Sequence, residues 1–495
     1  MLNLAVILRE SAAARPDAPA LLHDGGTVTY AELDARSDAV AAALAAQGIG
    51  PGSAIALQLP NIPEFPVVYY GILKAGAIVV PLNVMLRAPE VAYQLADAGA
   101  RALITWSGSA TEAAKGAAEA GLSSLYVVGA ESFDELTAPA AEPLPLCPRE
   151  PGDTAAIVYT SGTTGVPKGA ELTHFQLYMN ADIPGRLFDV RPDDVVLTVL
   201  PLFHVYGMSS TMNLAVRFGA AMSLVPRFTP DRVLAAIERD RATVFDGVPT
   251  MFGALLAGAK DTHYDTSSLR VCVSGGDAIP AHVLDAFEER FGVPILEGYG
   301  MTETASTITF NPSPQDRRTY SVGKPVWGVE VQIWDENDRR LPPGRTHIGE
   351  VVTRGYHTMR GYRGHPTATA DAFRAGWLHT GDLGYLDPDG FLFIVDRKKE
   401  LIIRGGYNVY PREVEEALYR HPDIAEAAVV GVPDERLGEE VKAFVVPVPG
   451  RAITAEQVVE YCREQLAAYK YPRLVEFREA LPLSASGKVA KKELV

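Results

Sequence analysis

Ala155-Ala-Ile-Val-Tyr-Thr-Ser-Gly-Thr-Thr-Gly-Val-Pro-Lys-Gly169 begins as an apolar strand and runs into a loop of Gly, Ser and Thr. Gly162 and Gly165 allow positive φ and let successive N–H groups turn toward one point. Thr160, Ser161, Thr163 and Thr164 add hydroxyls, and Lys168 adds a cation. Together these groups suit a polyphosphate. Ser, Thr and Gly also dominate ordinary surface loops, so composition alone leaves that plainer reading open. The spacing Gly-x-x-Gly-x-x-Lys-Gly, with Pro167 before the lysine, excludes a Walker loop, which spaces its glycines more widely and follows its lysine with Ser or Thr. No convincing Gly-x-Gly-x-x-Gly follows an early strand, which disfavours a nicotinamide enzyme.

Outward from this stretch, short apolar strands alternate with amphipathic helices. Residues 30–47 read as a helix, with Leu33, Val40, Ala41 and Leu44 on one face and Ser37 interrupting it. Strands are expected at 53–59, 77–81, 155–159, 195–200, 221–224, 244–245 and 269–273, and a helix at 64–74. That order argues for α/β layers with mostly parallel sheets. After Val322 the chain, rich in Gly, Pro and Val, reads as a smaller β-rich lobe.

Residues 394–403 form a strand-like stretch broken by charges between Asp396 and Glu400, a natural domain boundary. Pro411 suits a first helical position, Val414, Ala417 and Leu418 share a face, and His421-Pro422 ends the helix. Strands at 427–432 and 441–446 follow. Thr454 with Gln457 makes a capping box for a last helix on which Val458, Cys462 and Leu466 align. The expected fold class is α/β: a large N-terminal domain, 1–396, of layered α/β subdomains plus a β-rich lobe, and a small α+β C-terminal domain, 397–495.

The 495 residues exceed what one core usually serves, and 47% hydrophobic with 21% charged residues allows large cores. A net charge of −16 repels nucleic acid and anionic lipid, so a polyanionic substrate needs a local positive site. Cys147, Cys272 and Cys462 are widely spaced with no Cys-x-x-Cys, which fits a reducing compartment and neither a disulfide framework nor a zinc site. The apolar run at 1–9 lacks a preceding basic region and reads as the opening of a helix rather than a signal peptide. No apolar run reaches the roughly 18 residues that span a bilayer. The expectation is a cytoplasmic protein with no integral membrane segment and no nucleic-acid partner.

At every position Tyr159–Gly169 resembles the phosphate loop of the adenylate-forming (ANL) superfamily, which includes acyl- and aryl-CoA synthetases, peptide adenylation domains and beetle luciferases. Further motifs follow in the family's order over nearly the whole chain. Tyr299-Gly-Met-Thr-Glu303 resembles the second ATP segment. The resemblance implies that Thr302 contacts the α-phosphate and Glu303 holds Mg²⁺, with Gly298, Tyr299, Gly300 and Met301 beside the nucleotide. Thr380-Gly-Asp382 is similar to the ribose segment, where Asp382 accepts from both hydroxyls. Asp396-Arg397 resembles the segment whose arginine also reaches the ribose, with Ile394 close by. Lys399 falls on the hinge position. Ser484-Ala-Ser-Gly-Lys488 resembles the loop whose lysine crosses to the carboxylate and α-phosphate for the first half-reaction. Gly405-Gly406-Tyr407-Asn408 resembles the loop lining the thiol tunnel, and Tyr469 takes the place of an aromatic near CoA adenine. Asp434–Gly438 departs from many relatives by carrying Leu437 in place of Trp.

Pro201-Leu-Phe-His204-Val-Tyr206-Gly207 resembles the acid-pocket segment of fatty-acyl and hydroxycinnamoyl (4-coumarate) ligases, and lacks the Asp that amino-acid-activating relatives place there. His204 is implied as a catalytic and pocket residue. Ser274, Gly275, Gly276, Gly300 and Ile308 would line the same pocket, and Asp277 stands out as an oddity at its edge. The implied activity is ATP-dependent acyl-AMP formation from a small-molecule carboxylic acid, then thioester formation with CoA. A medium- or long-chain fatty acid comes first and an aryl or cinnamoyl-type acid second. ATP, Mg²⁺ and CoA are the implied cofactors. A carrier protein as acceptor, a homodimer and a silent nucleotide-binding scaffold are the alternatives.

Overall fold

The computed structural model describes residues 1–138, 145–160, 166–258, 264–484 and 488–494. Ala54–Gln58 and Ile78–Pro81 are buried at every position, as strands covered on both faces must be. They pair in parallel at the middle of a seven-stranded sheet. Ile78–Pro81 also pairs in parallel with Thr154–Thr160, which turns back on itself as an antiparallel hairpin with Lys168–Thr173. The short strand Gly361–Tyr362 closes that edge.

A nine-stranded sheet carries the other half of the α/β region. Its central strands, Ile295–Tyr299, Val271–Ser274, Val244–Gly247, Val195–Thr198, Ala221–Leu224 and Pro19–His23, run in parallel, and short antiparallel strands finish both edges. The expected strands at 244–245 and 269–273 extend to Val244–Gly247 and shift to Val271–Ser274.

Helices Tyr30–Ala46 and Glu64–Lys74 pack against each other. Thr29 caps the first through a full capping box with Glu32. Ser37 does not break its buried face, because its hydroxyl is satisfied within the helix by Asp34 O at 2.8 Å. Lys74 ends the second helix almost fully buried, its Nζ 2.6 Å from Asp34 and 2.8 Å from Asp38.

The β-rich lobe is an antiparallel sheet of Val329–Trp334, Gly349–Gly355, Trp377–Leu386 and Phe373–Arg374, with Leu392–Arg397 paired to Trp377–Leu386. One continuous core runs from Leu4 to Leu392. A separate core begins at Ile402. It joins Val409, Val414, Leu418, Val429, Val441 and Val458 under the last sheet and the helices Pro411–Tyr419 and Ala455–Gln465. Between the two cores the chain turns at residues 396–400, where Asp396 accepts from Arg397 N at 2.8 Å and from Arg412 N, in the first turn of Pro411–Tyr419, at 3.0 Å. Burial holds the Asp396 carboxyl up at about 6.

Removing one partner of a buried ion pair leaves an uncompensated charge. Lys74→Ala should therefore destabilise the protein by about 3 kcal/mol, read as an earlier urea transition. Combining K74M with D34N and D38N should recover most of that loss.

Candidate active site

The hairpin Thr154–Thr160/Lys168–Thr173 brings Thr160 opposite Lys168, so both ends of the Gly-rich loop are fixed. Gly169 is required there: a Cβ would lie 2.6 Å from Ile157 and 3.2 Å from the Tyr159 ring. Tyr159 itself donates to Asp97 at 2.7 Å. Ser161, Gly162, Thr163 and Thr164 of the sequence-based set lie outside the described residues.

Glu303 is buried at the foot of this hairpin. Tyr362 Oη donates to Glu303 Oε1 at 2.8 Å, and Lys168 Nζ lies 5.5 Å from the centre of the Tyr362 ring. Burial pushes the Glu303 carboxyl up, opposed by hydrogen bonds from Tyr362 and Thr160. Thr302 and Glu303 share one turn of 3₁₀ helix, with Met301 N bonded to Thr304 Oγ1 at 3.0 Å. Around this turn the backbone leaves no choice at two glycines. A Cβ on Gly300 would stand 1.6 Å from Ser306 O, and one on Gly298 would stand 2.1 Å from the Phe310 ring. Ala305 and Ser306 hold φ of 53° and 110°, backbone strain of the kind that persists at functional sites.

Asp382 and Arg397 are register partners on adjacent strands, Arg397 Nε 3.7 Å from Asp382 Oδ1. Tyr299 Oη donates to Asp382 Oδ2 at 2.5 Å. Burial raises the Asp382 carboxyl, and Arg397 and the Tyr299 hydroxyl oppose that. Ile394 lies on the same strand as Arg397, its carbonyl accepting from Arg412 Nη1 at 2.6 Å.

At the acid end, Tyr206–Asn213 winds as a π-helix, a rare form that recurs at functional sites. Gly207 starts it with a Cβ position 2.4 Å from Pro201 O, so no larger residue fits. His204 N donates to Pro201 O at 3.0 Å and its carbonyl accepts from Met208 N at 2.9 Å. Burial, then the nearby Lys488 ammonium, depress the His204 imidazole to about 4. His204 is therefore neutral at ordinary pH. The Tyr206 ring lies against Gly275, and its Oη reaches Val273 O at 3.4 Å. Ile308 is fully buried and its N–H bonds Tyr299 O at 2.8 Å, tying it to the strand that ends in Tyr299. Ser274 and Ser209 carry buried hydroxyls without a hydrogen-bond partner among the described residues.

Lys488 crosses from the last module into this site. Ser484 N donates to Lys488 O at 2.7 Å and Lys488 N to Ser484 Oγ at 3.2 Å, closing the loop that presents it. A Cβ on Gly276, whose φ is 88°, would lie 2.9 Å from Lys488 Cε and 3.4 Å from Nζ. Burial and Arg397 lower the ammonium's affinity for its proton, while Asp277 and Asp382 restore it. Asp277 is a turn residue, its Oδ1 capping Ala278 N at 2.8 Å, and it adds negative charge beside Lys488.

Contacts and charge interactions thus link Thr160, Lys168, Glu303, Asp382, Arg397, Lys488, His204 and Gly276 into one group of neighbours, the candidate cleft. Gly405, Gly406 and Tyr469 stand apart. Tyr407 stacks on Tyr469 at 4.8 Å, a Cβ on Gly406 would meet nothing within 4 Å, and among the described residues no ring contact or hydrogen bond joins them to the cleft. Lys399 is exposed in the turn between the two cores.

Two residues of the cleft escaped the sequence reading. Tyr362 sits on a two-residue strand with no periodicity to reveal it. Asp246 lies one residue past the expected strand at 244–245, buried, with Oδ2 accepting from Thr211 at 3.0 Å. Its one signal is a charged residue inside an otherwise apolar run. Burial holds this carboxyl up at about 7.

The model of the AMP-binding enzyme family matches residues 8–363, and that of the AMP-binding enzyme C-terminal domain matches 413–488. The chain is 39% identical over 480 residues to a feruloyl-CoA synthase of Amycolatopsis sp, covering 97% of this chain and 96% of that protein. It is 36% identical over 534 residues to a long-chain-fatty-acid–CoA ligase of Bacillus subtilis (strain 168), covering 100% and 94%. Its structure aligns with an anthranilate CoA ligase in complex with anthranoyl-AMP at a TM-score of 0.94 and 30% identity, covering 99% and 96%. No helix among the described residues is long and apolar enough to cross a membrane. The chain belongs to the AMP-binding enzymes, in the acid–thiol ligase branch of AMP-forming acyl-CoA synthetases whose substrates include ATP and CoA.

Proposed function

We propose that this cleft joins a carboxylic acid to the α-phosphate of ATP, releasing pyrophosphate, and that CoA then takes the acyl group as a thioester. The observation that carries this reading is Lys488 seated against Gly276, between His204 on the acid side and Asp382 and Arg397 on the nucleotide side. A carboxylate must attack an anionic phosphorus centre. One charge pair near 4 Å is worth about 4 kcal/mol at an effective dielectric of about 20, roughly a thousandfold in rate. Lys488 supplies that charge at the bond-forming end, and Thr302 would bind the α-phosphate beside it. Lys168 and Thr160 flank the loop for the β- and γ-phosphates, and Asp382 and Arg397 hold the ribose.

Mg²⁺ fits the same geometry. Glu303 is a buried oxygen donor beside the phosphate hairpin, and among the described residues no cluster of three ligating side chains competes for a metal. Mg²⁺ is commonly held by one or two carboxylates together with substrate phosphates, and when bound it would neutralise phosphate charge. Neutral His204 would close the acid end without adding charge.

For the second half-reaction, the domain 397–495 would turn about Lys399, withdraw Lys488 and present Gly405, Gly406 and Tyr469 to CoA. Support comes from the separate core that begins at Ile402, from the positive φ of both glycines, 58° and 85°, and from the open space around the Cβ position of Gly406. Exposed Tyr407, stacked on half-buried Tyr469, offers an aromatic surface in a chain that carries Leu437 where many relatives have Trp.

The acid has a largely apolar body, received between the π-helix and the sheet beside Met208, Met212, Val273 and Ile308. A medium- or long-chain fatty acid is the first reading, supported by the Bacillus relative. An aryl or cinnamoyl-type acid is the second, favoured by buried Asp246 and by the Tyr206 hydroxyl in the pocket wall.

Lys488→Ala should cut acid-dependent ATP–pyrophosphate exchange by about a hundred- to a thousandfold. Conversion of supplied acyl-AMP and CoA to acyl-CoA should remain within severalfold of the unmutated protein, and equal loss in both assays would contradict domain alternation. In a panel of acids, AMP release and acyl-CoA detected by mass spectrometry should appear with fatty or cinnamoyl-type acids. Activity confined to amino acids or short dicarboxylates would overturn the acid assignment, and transfer to a carrier protein with none to free CoA would overturn the acceptor.

A further inference from the structure

Asp246 is the most costly residue of the pocket wall. It is 4% exposed, and a buried carboxylate without a cation is strongly disfavoured. Among the described residues its hydrogen-bond partner is the Thr211 hydroxyl of the π-helix, and no ion pair reaches it. Arg9, Lys74 and Arg270 show the contrasting case, where buried aspartates of this chain are paired with cations at 2.5–2.8 Å. A threonine or valine at 246 would serve the strand better.

The position of Asp246 explains its retention. In the parallel pair Val244–Gly247/Val271–Ser274, Asp246 stands opposite Val273, and the carbonyl of Val273 is what Tyr206 Oη approaches. Asp246 and Val273 are roughly 5 Å apart in backbone spacing, so the phenol that reaches across from the π-helix to Val273 comes close to the Asp246 carboxyl, whose charge acts on it. At 3.4 Å the phenol's bond to Val273 is long, and a ligand could take it over. Val273 is three positions before Gly276, against which Lys488 rests. Three residues span at most roughly 10 Å of chain, so the strand pair that carries Asp246 ends close to the glycine against which Lys488 rests. An acid activated at Lys488 would carry its far end to this pair.

We infer that Asp246, with Tyr206 beside it, is a specificity-determining residue that accepts a hydrogen bond from a hydroxyl at the distal end of the acid. The inference rests on the acid-activating reading of the same cleft. The ligand chemistry is an apolar body with a carboxylate at one end and a hydroxyl donor at the other, on either a ring or a chain. A site built to bond a substrate hydroxyl discriminates strongly against the analogue that lacks it.

The test is the ratio of kcat/KM within matched pairs: 4-hydroxycinnamate against cinnamate, and a hydroxylated fatty acid against its unsubstituted parent. In the unmutated enzyme the hydroxylated member of at least one pair should be favoured by about tenfold or more, and which pair responds identifies ring or chain. Asp246→Leu should bring that ratio to about one, and Asp246→Asn, which keeps an acceptor oxygen, should fall between. Folding is read separately. A carboxyl held up at about 7 is neutral at pH 5 and charged at pH 8, whereas the unfolded chain ionises it near its ordinary value. Asp246 therefore costs most stability at high pH, and Asp246→Asn should raise Tm more at pH 8 than at pH 5. Turnover of both members of each pair without preference, or a preference that survives in the Asp246→Leu variant, overturns this inference alone. Absence of acyl-CoA from every acid overturns the acid-activating reading and this inference with it.

Discussion

An acid and a triphosphate, both anionic, must meet inside a protein that itself carries a net charge of −16. The rest of the site is arranged around that repulsion. In the proposed reaction Lys488 brings positive charge to the meeting point, but in doing so it leaves water, and burial lowers its hold on its proton. Arg397 lowers it further, while Asp277 and Asp382 oppose both. Arg397 is in turn matched to Asp382 at 3.7 Å and Glu400 at 3.9 Å. Cations and carboxylates thus alternate from Lys488 through Asp382 and Arg397 to Glu400. Groups oriented in this way before a ligand arrives meet the condition under which electrostatic stabilisation is strongest.

That arrangement depends on backbone shapes that side chains would forbid. Lys488 can reach the acid end because Gly276 has no Cβ and turns at positive φ. The Glu303 turn folds back closely enough to place its carboxyl under Tyr362 because Gly300 admits Ser306 O at a distance no Cβ could share. The π-helix after His204 begins where Gly207 lets the chain pass against Pro201 O. For Glu303 and His204 the glycine that permits the placement lies three positions away in the chain, and for Lys488 it comes from a distant segment.

What was legible in the sequence follows from the range of the forces involved. Glu64–Lys74 and Ala221–Leu224 fall where the apolar pattern put them, and Pro411–Tyr419 starts at the proline and ends before His421-Pro422. Those limits are set by periodicity and caps, which are local. The Thr454–Gln457 capping box is present for the same reason. The Lys168–Thr173 return strand, the π-helix and Tyr362 are set by contacts between distant segments, and no local pattern announces them. Ser37 looked like a flaw in a helical stripe because a hydroxyl was counted as polar, although within a helix its own turn satisfies it. Asp246 was passed over because the strand reading stopped at Phe245, so its charge fell in a presumed loop where it would cost nothing.

Several departures from local rules lie close together. Ala305 and Ser306 hold positive φ without being glycine, the only π-helix among the described residues runs beside them, and Ser210 bonds Ser306 across the gap at 2.8 Å. Asp246 lies buried without a cation against that same helix, and Glu297, also held up at about 7 by burial, ends two residues before Tyr299. Elsewhere the chain obeys the rules closely, with capping boxes at Thr29, Thr173 and Thr454 and a paired lysine where one is buried. Positive φ without glycine also occurs singly at Asp189, Arg241, Tyr320, Asp338 and Ala375. What sets this wall apart is coincidence: positive φ at two successive residues, a π-helix and a buried carboxyl with no cation among the described residues meet within it. Stability gained in the scaffold holds that combination in place, as it does where function rather than folding selects the residues.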